Sequence, residues 1–540
     1  MNLGIDKALS LNLGYVVATT QSVDVSKEVS LICQCFSEIL KCSFANRLRS
    51  FRHVGATEFL PLLIKIWMNN AQNKFEGEYL SSEFQNGLIS IVRVFRVFSK
   101  LIPVKSYLIN YSNGVFVGFL LRKTLLWIKE PTSSVDSSNE IIWETLGLVK
   151  DLTFRSRTND KLVLLHLDGE VFFEIISASF KKIKESHQRY QEWCTAIIWN
   201  FVLDPLICQI VLNKSMGNDT IVGNLIIEGL LQVLTKYSSK NLDSGSVLRI
   251  KRNATSALGN IISDSKHHKI LFRNRCETKL SILIPQMVFS VREDPDPVIR
   301  RRAMRTIRCL ASSMDIRVKN FIIKGDLSSF IIQLILQKRT HKDKNDNDIL
   351  VQACQTVLAL KGSIKDEVWN PLEKALMQRI ENTTCADVIR VAALCLSECI
   401  TRSSFNQNTS FSIEFWNNLE VLVSKSPKIH AAITGLLDLI LQMEKRSASL
   451  HQGLINPSLL TKTPVINILT TILLESKCEE ETKNQTLHII LNLAENEFNK
   501  KALAGNDKLL SGLVALCLMR PDSEIKNSAK SIILLLVPEI

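Results

Sequence analysis

The most regular stretch of the sequence reads Ile250-Lys251-Arg252-Asn253-Ala254-Thr255-Ser256-Ala257-Leu258-Gly259-Asn260-Ile261-Ile262. Its apolar residues recur at i, i+4, i+7, i+8 and i+11, which is the spacing of one face of an α-helix. The small residue Ala254 lies in the middle of that face and leaves room for another helix to pack closely. The stretch therefore predicts an amphipathic helix that is buried along one side.

The same pattern returns along the chain, and Asn260 serves as its marker. The equivalent positions are 39, 93, 151, 200, 260, 309, 359, 398, 438, 492 and 535. Their mean interval is about 50 residues, close to that of three-helix solenoid units with loop insertions. We therefore predict an all-α chain of about eleven tandem helical units, with residues 1–540 forming a single domain. The pattern is best kept in 190–365 and 480–540.

Two further signals mark the joints between units. Polar segments are expected to form surface loops at 131–139, 238–246, 339–348 and 402–410. A glycine followed by an apolar helix recurs at Gly55, Gly169, Gly325 and Gly505. We expect each of these glycines to end one helix and to turn the chain into the next.

Composition limits the class of protein. Lys and Arg number 66 against 53 Asp and Glu, and this mild basic excess favours acidic partners without specifying one. The thirteen cysteines follow no disulfide or zinc pattern, so we expect reduced, buried thiols and no metal site. The longest apolar runs are too short to span a membrane, and no secretory signal is evident. The expected location is the cytoplasm, the nucleus or both.

The ends of two predicted helices point to a known repeat family. They read Ala257-Leu258-Gly259-Asn260-Ile261 and Leu491-Asn492-Leu493-Ala494. Both resemble the close of the third helix in armadillo repeats. The resemblance implies a right-handed superhelical solenoid of armadillo-like units, with HEAT-like units as an alternative for 366–442. It also implies that the third helices line a concave face.

Polar residues recur on that face of the predicted third helices. The marker and the positions four and seven residues before it project to the same side. The candidate partner-binding residues are Trp193, Asn200, Asn253, Asn260, Arg302, Arg305, Gln352 and Gln355. Side-chain amides can bind the main chain of an extended peptide, and arginines can bind acidic or phosphorylated side chains. The alternative explanation is that a solvent-facing helix surface is polar in any case.

The expected function is a non-enzymatic adaptor or scaffold that holds an extended acidic segment of a partner protein. No phosphate loop, GxSxG elbow or HExxH motif occurs, so we expect no catalytic residue, metal or cofactor. One alternative is a solenoid that binds nucleic acid through its basic surface. Another is a divergent nuclear-transport receptor, although the Trp that such receptors carry four residues before the Asn is replaced by Ala196, Ser256 and His488. Self-association through the apolar C-terminal helix, 531–537, stays open.

Overall fold

The computed structural model of the protein describes most of the chain. The described residues are 31, 60–73, 82–129, 135–181, 188–213, 215–216, 220–238, 245–264, 276–313, 315–324, 327–336, 344–364, 368–383, 385–402, 413–450, 463–495, 497–519 and 524–537. In these ranges the secondary structure is helical apart from one short antiparallel pair of strands, β1 (Ser215–Met216) and β2 (Thr220–Ile221), with Ser215 opposite Ile221. The all-α prediction is confirmed.

The chain forms two compact units, Met1–Cys309 and Leu310–Ile540. The helices of the first unit are α1 (Leu60–Asn73), α2 (Ser82–Phe98), α3 (Ile102–Asn110), α4 (Val115–Lys129), α5 (Val135–Thr153), α6 (Thr158–Lys181), α7 (Gln188–Val202), α8 (Pro205–Asn213), α9 (Val222–Ser238), α10 (Gly245–Ser263), α11 (Cys276–Glu293) and α12 (Pro297–Ala311). The last two residues of α12 belong to the second unit. A single domain over 1–540 stays a prediction.

Helices of the first unit stack in two parallel series. In one series α2 packs against α5, α5 against α7, and α7 against α10. In the other, α4 packs against α6, α6 against α9, and α9 against α11. The first series continues to α12 at Gly259, where an added Cβ would lie 3.2 Å from Thr306 Oγ1, so the two backbones approach closely. We call α2, α5, α7, α10 and α12 the third helices of this unit.

The second unit repeats the arrangement. Its helices are α13 (Ile316–Lys324), α14 (Leu327–Leu336), α15 (Lys344–Leu360), α16 (Trp369–Asn382), α17 (Ala386–Arg402), α18 (Ile413–Lys425), α19 (His430–Leu450), α20 (Thr463–Leu474), α21 (Glu480–Ala494), α22 (Glu497–Ala504), α23 (Asp507–Met519) and α24 (Glu524–Leu536). Its third helices, α15, α17, α19, α21 and α24, each pack against the next. So do α14, α16, α18, α20 and α23.

The repeat marker agrees with this arrangement. Ten of the eleven marker positions fall in ten different third helices, and position 39 lies outside the described residues. Each third helix turns its apolar stripe inward: in α10, Ala254, Leu258 and Ile261 have 0% of their surface exposed. The predicted tandem repetition is therefore confirmed in both units.

Two local predictions were wrong. Residues 135–139 and 344–348, expected to be loops, are the first turns of α5 and α15. Ser, Asn and Asp favour the start of a helix as much as a loop, so composition alone did not separate the two.

Gly169 does not end a helix, because α6 runs through it from Thr158 to Lys181 and tertiary packing outweighs the weak helix propensity of glycine. Gly505 does separate α22 from α23, whereas Gly55 and Gly325 lie outside the described residues.

Most of the described cysteines lie in the helical core. All are free thiols, and six are buried: Cys194, Cys208, Cys309, Cys354, Cys395 and Cys399. Burial raises the pKa of the Cys208 thiol to about 12, because the apolar surroundings disfavour the thiolate. Such thiols pack as small apolar side chains and are poor nucleophiles.

Asp204 joins two helices at their starts. Its Oδ1 accepts hydrogen bonds from the backbone N–H groups of Leu206 (3.1 Å) and Ile207 (3.3 Å) in the first turn of α8. Its Oδ2 accepts one from Thr158 Oγ1 (2.6 Å) at the start of α6. Partial burial pushes the pKa of Asp204 upward, but these hydrogen bonds outweigh it, and the pKa lies below its ordinary value.

We predict that Asp204→Ala lowers the free energy of unfolding by about 1 kcal/mol at neutral pH, the usual contribution of a helix N-cap. Because the folded-state pKa is lowered, the contribution is complete above about pH 4 and is lost as the pH falls through the lowered pKa. Urea unfolding of both proteins from pH 7 to pH 3 measures the difference. Asp204→Asn is the control, since it keeps the cap without the titration. A pH-independent difference between wild type and Asp204→Ala would contradict the prediction.

Candidate partner-binding face

The residues predicted for partner binding divide by exposure. Trp193, Asn253, Asn260 and Arg302 are half-buried, and Arg305 is exposed. They lie on the less buried sides of the neighbouring third helices α7, α10 and α12. Together with Trp199, which is half-buried on α7, they form what we call the α7–α10–α12 face: Trp193, Trp199, Asn253, Asn260, Arg302 and Arg305.

Asn200 is not part of this face, because it is 3% exposed. Its Nδ2 donates to the carbonyl oxygen of Lys150 (3.2 Å) and to Thr153 Oγ1 (3.1 Å) at the end of α5. Its own carbonyl oxygen accepts a hydrogen bond from Lys161 Nζ (2.8 Å). The predicted ligand-binding amide is therefore an internal link between consecutive units.

Trp193 is covered by cations from two other helices. Lys150 Nζ lies 4.6 Å from the ring centroid, and Arg96 Cζ lies 5.4 Å from it. Arg96 has room there because residue 147 is a glycine, whose added Cβ would come within 2.6 Å of the guanidinium carbon. Cation–π attraction thus holds the ring against α2 and α5.

Arg302 reaches across two helices. Its Nη1 donates to the carbonyl oxygen of Arg252 (3.0 Å) and to Ser256 Oγ on α10. Its Cζ lies 5.2 Å from the ring centroid of Trp199 on α7. Burial lowers the pKa of Arg302, and repulsion from Arg301 and Arg252 lowers it further. The side chain is thus committed to contacts within the protein.

Positive charge is concentrated on two adjacent third helices. α10 and α12 contain no acidic residue, whereas every other third helix named above carries at least one. Their eight basic residues are Arg249, Lys251, Arg252, Arg300, Arg301, Arg302, Arg305 and Arg308. Three of these pair with carboxylates outside the two helices: Arg249 with Glu192, Lys251 with Asp294, and Arg252 with Asp296. The other five all lie on α12, and two of them, Arg302 and Arg305, belong to the α7–α10–α12 face.

The arginines of α2 form ion pairs with carboxylates of α5. Arg93 pairs with Glu140 and, at 3.2 Å, with Glu144 on α5. Arg96 pairs with Glu144 at 2.5 Å and with Asp151 at 3.4 Å. Each of these two cations is therefore balanced by carboxylates of the next third helix, α5.

The two glutamines of the predicted stripe lie in the second unit. Gln352 and Gln355 are half-buried on α15. The C-terminal helix of that unit is only partly covered: Ile532 and Leu536 are buried, whereas Leu534 is 63% exposed. Self-association through this helix stays a prediction.

Sequence reasoning missed Trp199 and Arg96. Trp199 directly precedes the marker Asn200, so a Trp beside the marker was an available signal. Arg96 had no such signal, because its contact with Trp193 depends on the packing of α2, α5 and α7.

The described residues contain no cluster of three His, Cys, Asp or Glu side chains that could hold a metal ion. Within the same ranges no single helix is long and apolar enough to span a bilayer, and only α7 with α8, bent by 113°, reach that hydrophobic length together.

Comparison with known proteins gave structural likenesses only. No family model matches the sequence, and no curated protein matches it. A crystal structure of SYS-1 is similar with a TM-score of 0.48 and 10% identity, covering 99% of each chain. A structure from work on the phosphorylation switch between cadherin and β-catenin is similar with a TM-score of 0.45 and 10% identity, covering 95% of this chain and 96% of that one. Both are armadillo-repeat proteins.

Proposed function

We propose that this chain is a protein-binding scaffold whose α7–α10–α12 face binds an extended acidic segment of a partner. The observation that carries the proposal is the five arginines of α12, a helix that contains no acidic residue, beside α10, whose three basic residues pair with carboxylates of other segments. The formal net charge of the whole chain is +13, so these two helices hold a large share of the excess. A charge concentration of this kind steers and orients an oppositely charged partner.

The type of cation supports recognition of acidic groups. Lysine outnumbers arginine 40 to 26 in the chain, yet seven of the eight basic residues on α10 and α12 are arginines. The planar guanidinium can donate two parallel hydrogen bonds to one carboxylate, which the ammonium of lysine cannot do. The composition therefore favours bidentate binding of acidic side chains over diffuse attraction.

Three residues are proposed to contact the partner. Asn253 and Asn260 lie half-exposed on α10 and can each donate and accept one hydrogen bond with an extended main chain. Arg305, exposed on α12, can bind an acidic side chain of the same segment. Asn200 is left out of this set because its amide donates within the protein, and Arg302 because its Nη1 and its guanidinium plane contact α10 and Trp199.

We predict that the triple variant Asn253→Ala, Asn260→Ala, Arg305→Ala binds a fluorescein-labelled peptide of alternating Glu and Gly about a hundredfold more weakly than wild type. Such a loss corresponds to one charged and two neutral hydrogen-bonding groups. Fluorescence anisotropy at moderate salt measures it. The control is Arg292→Ala, which removes an exposed charge from α11 outside the face and should bind as wild type does. Equal affinity of the triple variant and wild type would remove the proposal.

The same anisotropy titration distinguishes protein binding from the alternative, nucleic-acid binding. Sequence-tolerant binding of single strands uses exposed aromatic rings for base stacking beside a basic groove. Here Lys150 and Arg96 already lie over the Trp193 ring, and Arg302 lies over the Trp199 ring. A labelled thymidine oligonucleotide that bound more tightly than the acidic peptide would overturn the protein-binding proposal. A receptor for basic transport signals is disfavoured because like charges on the face would repel them.

A further inference from the structure

Two tryptophans on α7 link the third helices of the first unit across the face. Trp193 is covered by Arg96 of α2 and Lys150 of α5. Trp199, six residues later on the same helix, is covered by Arg302 of α12. Since Arg302 also bonds to α10, these contacts together join all five third helices. A helix stack held only by neighbour contacts has no links of this length.

The contacts of Arg302 hold its side chain in one position between α7 and α10. One of its nitrogens is used by a backbone carbonyl and a hydroxyl on α10, and the flat guanidinium lies near the indole of Trp199. Ser256 itself is 7% exposed and also donates to the carbonyl oxygen of Arg252, so its position is fixed as well. A partner that drew the Arg302 side chain away from α10 would have to break these bonds.

We propose that Arg302 is a positioning residue: through Trp199 and Ser256 it fixes α12 against α10 and α7, and so sets the spacing between Arg305 and the pair Asn253 and Asn260, without touching the partner. This inference rests on the proposed function for its effect on binding. It differs from the sequence-based expectation, in which Arg302 and Arg305 contact the partner together.

A positioning role and a direct contact with the partner predict different effects of conservative substitutions. Arg302→Lys keeps the positive charge but loses the planar group that spans Ser256 and Trp199. Trp199→Leu removes the ring and no charge at all. Trp199→Phe keeps an aromatic face for the cation. A direct contact would be sensitive to charge at 302 and insensitive to residue 199.

The experiment uses the full chain and the labelled Glu-Gly peptide over a range of salt concentrations. We expect Arg302→Lys and Trp199→Leu each to weaken binding about tenfold with the salt dependence of wild type, because no ionic contact with the partner is lost. The double variant should be no weaker than either single variant, since both break the same link. Trp199→Phe should restore most of the affinity. Arg305→Ala is the matched comparison, and it should reduce the salt dependence.

Hydrogen exchange supplies a readout that needs no partner. In Arg302→Lys and Trp199→Leu we expect faster amide exchange in α10 and α12 and unchanged exchange in α2. Unchanged exchange in α10 and α12 would overturn the positioning role, whatever the peptide does. So would a Trp199→Leu variant that binds normally while Arg302→Ala loses salt dependence. If wild type fails to bind the peptide, the proposed function fails, and the exchange result alone then supports or overturns the positioning role.

Discussion

Replacing Asn200 by leucine is expected to lower the free energy of unfolding by about 2 kcal/mol. The substitution removes the two hydrogen bonds that the Asn200 amide donates, one to Thr153 Oγ1 and one to the Lys150 carbonyl oxygen, which keeps those from Phe154 N–H and Thr153 Oγ1. Because both partners keep another hydrogen bond, each lost bond is expected to cost about 1 kcal/mol. Guanidinium unfolding followed by circular dichroism, with linear extrapolation to water, measures the change.

Asn260→Leu is the matched control, since Asn260 holds the same position in the next unit but is half-exposed. We expect its stability to stay within about 0.5 kcal/mol of wild type, as for ordinary surface substitutions. Equal losses for the two variants would mean that the buried hydrogen bonds of Asn200 contribute nothing specific. Equal stability of all three proteins would have the same meaning.

The second large effect is expected at Lys161. This lysine is 5% exposed, and its Nζ donates to the carbonyl oxygen of Asn200 (2.8 Å) near the C-terminal end of α7. The ammonium also faces the negative end of the helix dipole. Lys161→Met keeps most of the volume but leaves that carbonyl without its donor, so we expect a loss of about 2–3 kcal/mol.

The same unfolding assay tests Lys161→Met, and Lys65→Met, at an exposed position on α1, is its control. Burial lowers the pKa of Lys161, so between that lowered pKa and the ordinary 10.5 the unfolded chain binds more protons than the folded one. Stability attributable to Lys161 should therefore rise with pH through that window, and the rise should vanish in Lys161→Met. A variant as stable as wild type would show that the burial cost of the ammonium cancels its hydrogen bond.

The fold could be predicted from the sequence because the same pattern of apolar residues recurs in each unit. Ala254, Leu258 and Ile261 lie on one helical stripe, and a stripe of that width must be covered by other helices. Helix starts were harder to predict. Residues 344–348 are rich in Asn and Asp, which serve equally as loop residues and as N-terminal helix residues.

Only part of the candidate partner-binding face could be predicted from the sequence. Asn200 and Asn260 are indistinguishable by position in the repeat, and they differ because the end of α5 supplies acceptors to one of them. Arg302 and Trp199 lie about a hundred residues apart, and no periodicity indicates that one covers the other. The basic character of α12, by contrast, was evident directly, since its five arginines are local in sequence.

The bonds of Asn200 also determine where the chain can be cut. A fragment that begins at α7 would contain this side chain without Lys150 and Thr153, and its carbonyl oxygen would lack Lys161. A fragment that ends after α6 would leave the ammonium of Lys161 with no helix end to bind. The junction between α6 and α7 is therefore a poor boundary for dividing the protein into independently folding pieces.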